Sequence, residues 1–423
     1  MDTLGRGTAT AVAEADRATM DRYRRHLSKG RAALGELFGA DVECASQGAW
    51  VHTSTGRSLL NCGGYGVFLT GARHPRVVDA VRRQLETHPV ATRLLIEPQA
   101  ALAAEALSAV TPDGLDRVHF ACSGAEAVEA AIKLARANGK RQLISMTNGY
   151  HGKTLGALSV TARPVFQDPF RPLLPDVTHV PFGDAAALEV TLAGAPGPAC
   201  VIVEPVQGEA GVVIPPMGYL AEVSQLCKEY GAFLVLDEVQ TGLGRLGYWW
   251  GTERDAVVPD VLLAGKALGG GVLPVSAMIA TAEAFAPFDR DPFIHTSTFS
   301  ASPLGMAAVQ ASIEVIRDED LVWRSRWLGE LLREELDALL RDVLGGAVRE
   351  VRGLGMLIGI EFAVDGLAGD LLLELMAAGV IANHSLNAAR VLRLTPPAVL
   401  DHEDVDFLLL AVERAAHQVR DVR

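Results

Sequence analysis

The middle of the chain alternates unbroken apolar runs with stretches of helical spacing. The runs are "VHFAC" from Val118, "QLISMT" from Gln142, "ACVIVEPV" from Ala199, "FLVLDEV" from Phe233 and "DVLLAGKA" from Asp260. Each is rich in Val, Ile, Leu or Phe and lacks polar alternation, the pattern of parallel strands buried on both faces. After about residue 310 the texture changes. "WRSRWLGELLREELDALLRDV" (Trp323–Val343) spaces its apolar residues at i, i+3 and i+4, which predicts an amphipathic helix. "VREVRGLGMLIGIEF" and "VLRLTPPAVL" read as strands, and a last helix is expected from about Asp401. Residues 1–40 read as a helical lead-in. The expected fold is α/β: a large domain with a mostly parallel central sheet, plus a smaller α+β domain. The expected divisions are an N-terminal segment at 1–75 that joins the small domain, a large domain at 76–310 and a small domain at 311–423.

Composition narrows the function. The chain has 423 residues, 49% of them hydrophobic and 21% charged, enough apolar material for a large core. No run approaches the roughly 18 uninterrupted apolar residues of a membrane helix, and the first 20 residues lack an apolar signal region. A net charge of −13 argues against nucleic acid. Five scattered cysteines, Cys44, Cys62, Cys122, Cys200 and Cys227, show no metal-type spacing and are expected as reduced thiols in a cytoplasmic protein.

The polar residues fall at the ends of the apolar runs. Open parallel sheets bind ligands outside the carboxyl ends of their strands. "VHFAC" leads into "SGAEAVEAAIKLAR", where Ser123 and Glu126 have capping-box spacing. The first turn, Ser123-Gly124-Ala125, is either an ordinary capped start or an anion site at a helix N-terminus. "FLVLDEV" carries Asp237 and Glu238 out of an apolar strand; they are structural partners, or a carboxylate that awaits a cation. No His or Cys cluster adjoins them, so no metal is expected. Lys266 ends the last run. A lysine there either snorkels to water or, desolvated, becomes a nucleophile able to form a Schiff base. Phosphate, pyridinium nitrogen and aldehyde together describe pyridoxal 5'-phosphate (PLP).

Two other phosphate motifs fail. "GLGRLG" (Gly242, Gly244, Gly247) fits G-x-G-x-x-G, yet "YWWGTERD" follows it instead of a helix. Gly265-Lys266 is no Walker loop, since Asp260 and Ala267 hold the positions of its first glycine and its hydroxyl residue.

With these residues in hand, the sequence resembles the class III (ornithine/acetylornithine/GABA-type) aminotransferases of fold type I, over roughly residues 45 to 415. Within them it looks most like the putrescine aminotransferases. The matching blocks include "CSGAEAVEAAIKLA", "GYHGKTLGALS", "EPVQGEAGVVIP", "LDEVQTGLGRLG", "GKALGGGVLPVSA" and "HTSTF". The resemblance implies that Lys266 holds the cofactor aldehyde and shuttles a proton, and that Asp237 pairs with the pyridine nitrogen. It places Tyr150 on one ring face, Val239 on the other and Gln240 near the ring hydroxyl. Ser123, Gly124 and Ala125 would cradle the phosphate. Thr298 would reach the phosphate site of a neighbouring subunit in a homodimer.

Four positions bear on substrate. Lys153 stands where α-amino-acid enzymes of the family place an arginine, so the bidentate fork is lost. Glu209 and Arg393 match a pair that in the family switches between an amine donor and 2-oxoglutarate; the alternative is a permanent structural ion pair. Tyr65 aligns with a substrate-facing aromatic of the ornithine enzymes. "Ser300-Ala301-Ser302-Pro303" replaces the usual Gly-Gly-Asn-Pro, and these residues enter positive φ less easily than Gly or Asn. The expected activity is ping-pong transfer of an amino group from a terminal amine, putrescine-like, to an oxo acid such as 2-oxoglutarate or pyruvate. The alternatives are an ornithine or N-acetylornithine δ-aminotransferase and a tailoring aminotransferase acting on an aldehyde. More distant ones are a PLP decarboxylase or racemase and a non-catalytic PLP-binding protein.

Overall fold

The computed structural model describes residues 3–422. Helices Thr3–Arg22 and Lys29–Leu37 lead into three antiparallel strands, β1 (Glu43–Gln47), β2 (Trp50–Thr53) and β3 (Ser58–Asn61). The central sheet follows: β4 (Leu115–Ala121), β5 (Gln142–Met146), β6 (Val177–Val180), β7 (Ala199–Val203), β8 (Phe233–Asp237), β9 (Val261–Ala264) and β10 (Ser276–Thr281). Their spatial order is β4-β10-β9-β8-β7-β5-β6. β5 to β9 run parallel; β10 is antiparallel to both its neighbours, so β4 points the same way as β9.

Alternation along each strand explains the apolar runs. Val201 and Val203 of β7, with Leu234 and Leu236 of β8, face one apolar cluster. Cys200, Ile202 and Val235 face the other, against Ala127, Val128 and Ala131 of the helix Gly124–Ala137. With both faces covered, every side chain of β7 and β9 is buried.

The C-terminal part is built around β11 (Val348–Leu354), β12 (Leu357–Phe362), β13 (Val380–Ile381), β14 (Asn383–Ser385) and β15 (Ala388–Leu394). Four of these form an antiparallel sheet, β11-β12-β15-β14. β13 instead pairs parallel with β3, tying the N-terminal strands to this part of the chain. The helix Leu321–Leu344 buries Leu328, Leu332, Leu336 and Leu340 against this sheet, the face its spacing predicts. The last helix runs His402–Val422.

Two expectations change in detail, and the rejection of one phosphate motif gains a structural reason. β15 starts at Ala388 and stops at Leu394, so "TPPAVL" is irregular; Pro396 and Pro397 offer no N–H for a ladder. β10 joins the central sheet antiparallel and was not among the runs read as strands. "GLGRLG" is a buried turn: a Cβ on Gly242 would lie 2.6 Å from the Trp250 ring, so close packing rather than a phosphate requires that glycine.

Candidate active site

The carboxyl ends of β5, β7, β8 and β9 converge on one cavity of about 490 Å³. Lys266 follows β9 by two residues, with φ 45° as the chain turns. Its side chain lines the cavity and makes no hydrogen bond or ion pair with any described residue. Burial lowers its pKa; Asp237, Glu209 and Glu204 act in the opposite sense without restoring it. The shift is toward the neutral form, the nucleophilic one. Larger hollows, of about 610 and 770 Å³, lie against the N-terminal helices, away from this sheet edge.

Asp237 is the last residue of β8 and is buried. Its Oδ2 lies 2.7 Å from His151 Nδ1, and its Oδ1 accepts the Val239 N–H at 3.1 Å. Burial alone would lower the His151 pKa. The hydrogen bond and charge of Asp237, with the charge of Glu204, outweigh it and raise the ring above its ordinary value. Glu238, one residue on, faces away. It accepts from Thr241 Oγ1 at 2.6 Å and from the N–H groups of Gly251 and Thr252, both at 2.8 Å. Of the two acids at this strand end, one is structural and one faces the cavity.

The helix Gly124–Ala137 opens beside them. The Ser123 and Glu126 side chains cap it reciprocally, and Glu126 Oε2 also accepts the Cys122 N–H at 2.8 Å. Ser123 is exposed and engaged in this cap, whereas Gly124 and Ala125 line the cavity. First-turn N–H groups have no partner within their own helix. The Tyr150 loop closes tightly on this turn: a Cβ on Gly152, at φ 127°, would lie 2.7 Å from Ala125 Cβ. On the other side, a Cβ on Gly124 would lie 2.8 Å from Val239 Cγ1. Both glycines preserve a narrow cradle at the positive end of a helix dipole.

Tyr150, Val239 and Gln240 also line the cavity, as do Tyr65, Lys153 and Glu209. Gln240 Nε2 donates to the Tyr65 carbonyl at 3.3 Å. Lys153 sits at the exposed rim with Nζ 4.1 Å from the centroid of Phe166. Arg393, on β15, is fully buried behind Glu209, with Nη2 2.7 Å from Glu209 Oε1. Its Nε and Nη1 have no partner among the described residues. Thr298 is exposed and stands outside this cavity. Ala301 does adopt positive φ, at 54°, and Ser300 Oγ donates to the Phe120 carbonyl.

Pattern reading passed over four lining residues, His151, Gly152, Glu204 and Leu386. Glu204 follows "VIV" of β7 just as Asp237 ends "FLVL", so the same acid-after-apolar-run signal was present. It is buried, accepts the Tyr150 N–H at 2.9 Å and the Gly208 N–H at 3.4 Å, and burial raises its pKa to about 7. His151 adjoins Tyr150 in a block already singled out. Leu386 comes from the turn between β14 and β15 and carried no signal.

These groups fit PLP: an amine free of protein partners, a buried carboxylate for a ring nitrogen, and a glycine-lined helix N-terminus for a phosphate. The model of the family described as aminotransferase class-III matches residues 40–416. The ornithine aminotransferase of Toxoplasma gondii, in a structure with PLP partly occupying its active site, is 31% identical. That match covers 90% of this chain and 91% of the other at a TM-score of 0.84. The acetylornithine aminotransferase of Elizabethkingia anophelis is 30% identical over 95% of this chain and 99% of its own, TM-score 0.83. An (S)-enantioselective omega-transaminase of Thermomicrobium roseum is 28% identical over 90% and 93%, TM-score 0.82. The protein with this cavity belongs to the class-III aminotransferases, enzymes whose cofactor is PLP.

Proposed function

We propose that the enzyme takes an amino group from a terminal primary amine on a short aliphatic chain, putrescine-like, and passes it to an oxo acid such as 2-oxoglutarate. The observation that carries this reading is the Glu209–Arg393 pair. Glu209 faces the cavity and Arg393 stands behind it with two nitrogens unpartnered. A carboxylate at the wall favours a distal ammonium. Once Glu209 Oε1 turns off it, Arg393 offers a bidentate seat for a carboxylate. One pocket then serves two substrates of opposite charge in turn, as ping-pong transfer requires.

When bound, PLP supplies the electron sink for the carbanion formed as the substrate C–H proton leaves. In this proposal Lys266 Nζ would hold the cofactor aldehyde and would then be the group that carries that proton. Asp237, oriented by His151, holds the proton on the ring nitrogen. Tyr150 and Val239 would bound the ring faces, and Gln240 would lie near its hydroxyl. Gly124 and Ala125 offer N–H groups to the phosphate, with Ser123 fixing their helix start. We read residues 76–310 as the unit that holds the cofactor, and 311–423 with the lead-in 1–75 as the unit that closes over it. A homodimer in which Thr298 reaches the partner's phosphate site is supported by the exposed apolar side chains of Leu94, Leu95, Ile96, Phe293 and Phe299. No helix among the described residues is long and apolar enough to cross a membrane, and the five cysteines are unpaired. The free thiols support a cytoplasmic location.

A second reading, ornithine or N-acetylornithine as donor, is favoured by the solved structures above and by Tyr65 in the cavity wall. Mixing the PLP-loaded enzyme with putrescine, ornithine or N-acetylornithine and following the cofactor's visible band separates the two. Putrescine is expected to bleach the band fastest. An inert putrescine beside a reactive α-carboxylated donor selects the second reading.

A further inference from the structure

Leu386 and Asn387 form the two-residue turn of the β14–β15 hairpin, with Ser385 paired to Ala388 across it. The turn reaches onto the edge of the central sheet. Leu386 N–H donates to Glu209 Oε2 at 3.0 Å. Asn387 N–H donates to the Glu209 carbonyl at 2.9 Å, and Asn387 Nδ2 to the Asn148 carbonyl at 2.8 Å. The Leu386 side chain lines the cavity itself.

Glu209 is therefore held twice: Arg393 lies against Oε1 and the Leu386 N–H against Oε2. The proposed switch breaks the first contact when an oxo acid takes Arg393. A buried carboxylate stripped of its cation is strongly unfavourable. The second contact is made by a backbone N–H whose position is set by the hairpin, so it does not depend on what Arg393 binds.

We propose that the β14–β15 turn is a specificity-determining latch. Its Leu386 N–H keeps Glu209 hydrogen-bonded while Arg393 engages the oxo acid, and its Leu386 side chain closes the amine pocket. This rests on Glu209 and Arg393 being the donor–acceptor switch.

The test is Leu386→Pro, which removes the donor. Leu386 is not a positive-φ residue, it occupies the turn position that proline suits, and Ser385 before it is extended. In the PLP-loaded enzyme, binding of glutarate, an unreactive dicarboxylate, is measured by calorimetry. The 2-oxoglutarate and amine half-reactions are followed separately. Loss of a hydrogen bond to a charged group predicts glutarate binding weaker by about tenfold or more, with a larger loss in the 2-oxoglutarate half than in the amine half. Leu386→Ala keeps the donor and is expected to shift amine preference toward bulkier chains. Should Leu386→Pro fail to fold, Asn387→Ala loosens the turn from Asn148 and predicts the same selectivity at smaller size. Equal losses in both halves, or none, overturn the latch. If Arg393→Ala abolishes glutarate binding in that case, the switch stands and only the latch falls. If Arg393→Ala binds glutarate normally, both fall.

Discussion

The carboxyl edge of the central sheet and the core beneath the small sheet are built to opposite rules. The small-sheet core packs Leu328, Leu332, Leu336 and Leu340 of one helix against Ile358, Ile360, Phe362, Leu392 and Leu394. At the central sheet's edge, buried Glu204 and Asp237 line one cavity with partly buried Lys266. Among the described residues Lys266 makes no hydrogen bond or ion pair, and Glu204 makes no ion pair. Burying such groups costs stability, so their presence marks where the fold serves chemistry. The core supplies the stability that tolerates them. Arg393 is one of the places where the two regions touch: a small-sheet residue whose charge faces the edge.

That contrast breaks first at Lys266. Lys266→Ala removes the proton carrier and is expected to cut turnover by about 10⁴-fold or more, with an unchanged or higher Tm because a desolvated amine is gone. A collapse of Tm by calorimetry would assign the lysine to the scaffold. Next comes the core. Leu336→Ala deletes a fully buried side chain and should cost about 2–5 kcal/mol in urea denaturation, while kcat per folded molecule stays near that of the parent. A large kcat loss at full folding would mean that the two regions are coupled.

His151→Ala comes third. It removes the hydrogen bond to Asp237, and a bond to a charged group contributes about 1.5–3 kcal/mol. A roughly 10- to 100-fold fall in kcat follows, with a displaced pH profile. An equal fall in both half-reactions supports action through Asp237; an unmoved pH profile argues against it.

The smallest effect is on pH. The Glu204 carboxyl titrates at about 7 when folded against an ordinary 4.5. The folded state then holds more protons between those values. Its contribution is complete below pH ~4.5 and is lost as pH rises through ~7. Urea midpoints of the cofactor-stripped enzyme are expected to fall across that window, and Glu204→Gln to flatten the slope. A parallel slope in the variant would assign the proton elsewhere.

The same contrast sets what the sequence discloses. Buried parallel strands announce themselves because both faces demand apolar side chains, so β4, β5, β7, β8 and β9 stood out, and the polar residues that end them stood out against that background. Lys266 and Asp237 were legible for that reason. Glu204 gave the same signal but was overshadowed by Glu209 five residues on. The partition between Asp237 and Glu238 was not legible, because adjacent residues on a strand end point to opposite faces and only tertiary contacts decide which faces the cavity. Leu386 reaches the site from a hairpin 120 residues beyond Lys266, and no local pattern encodes that approach. The reversed β10 and the β3–β13 pairing are long-range choices of the same kind.

The central claim is that the nitrogen of Lys266 is the group the cofactor joins. Hydride reduction of the PLP-loaded enzyme, followed by peptide mass spectrometry, tests it most directly. The account predicts one stable pyridoxyl phosphate adduct on the peptide containing Lys266, absent in Lys266→Ala. An adduct on another lysine, or none on a fully loaded enzyme, would contradict it.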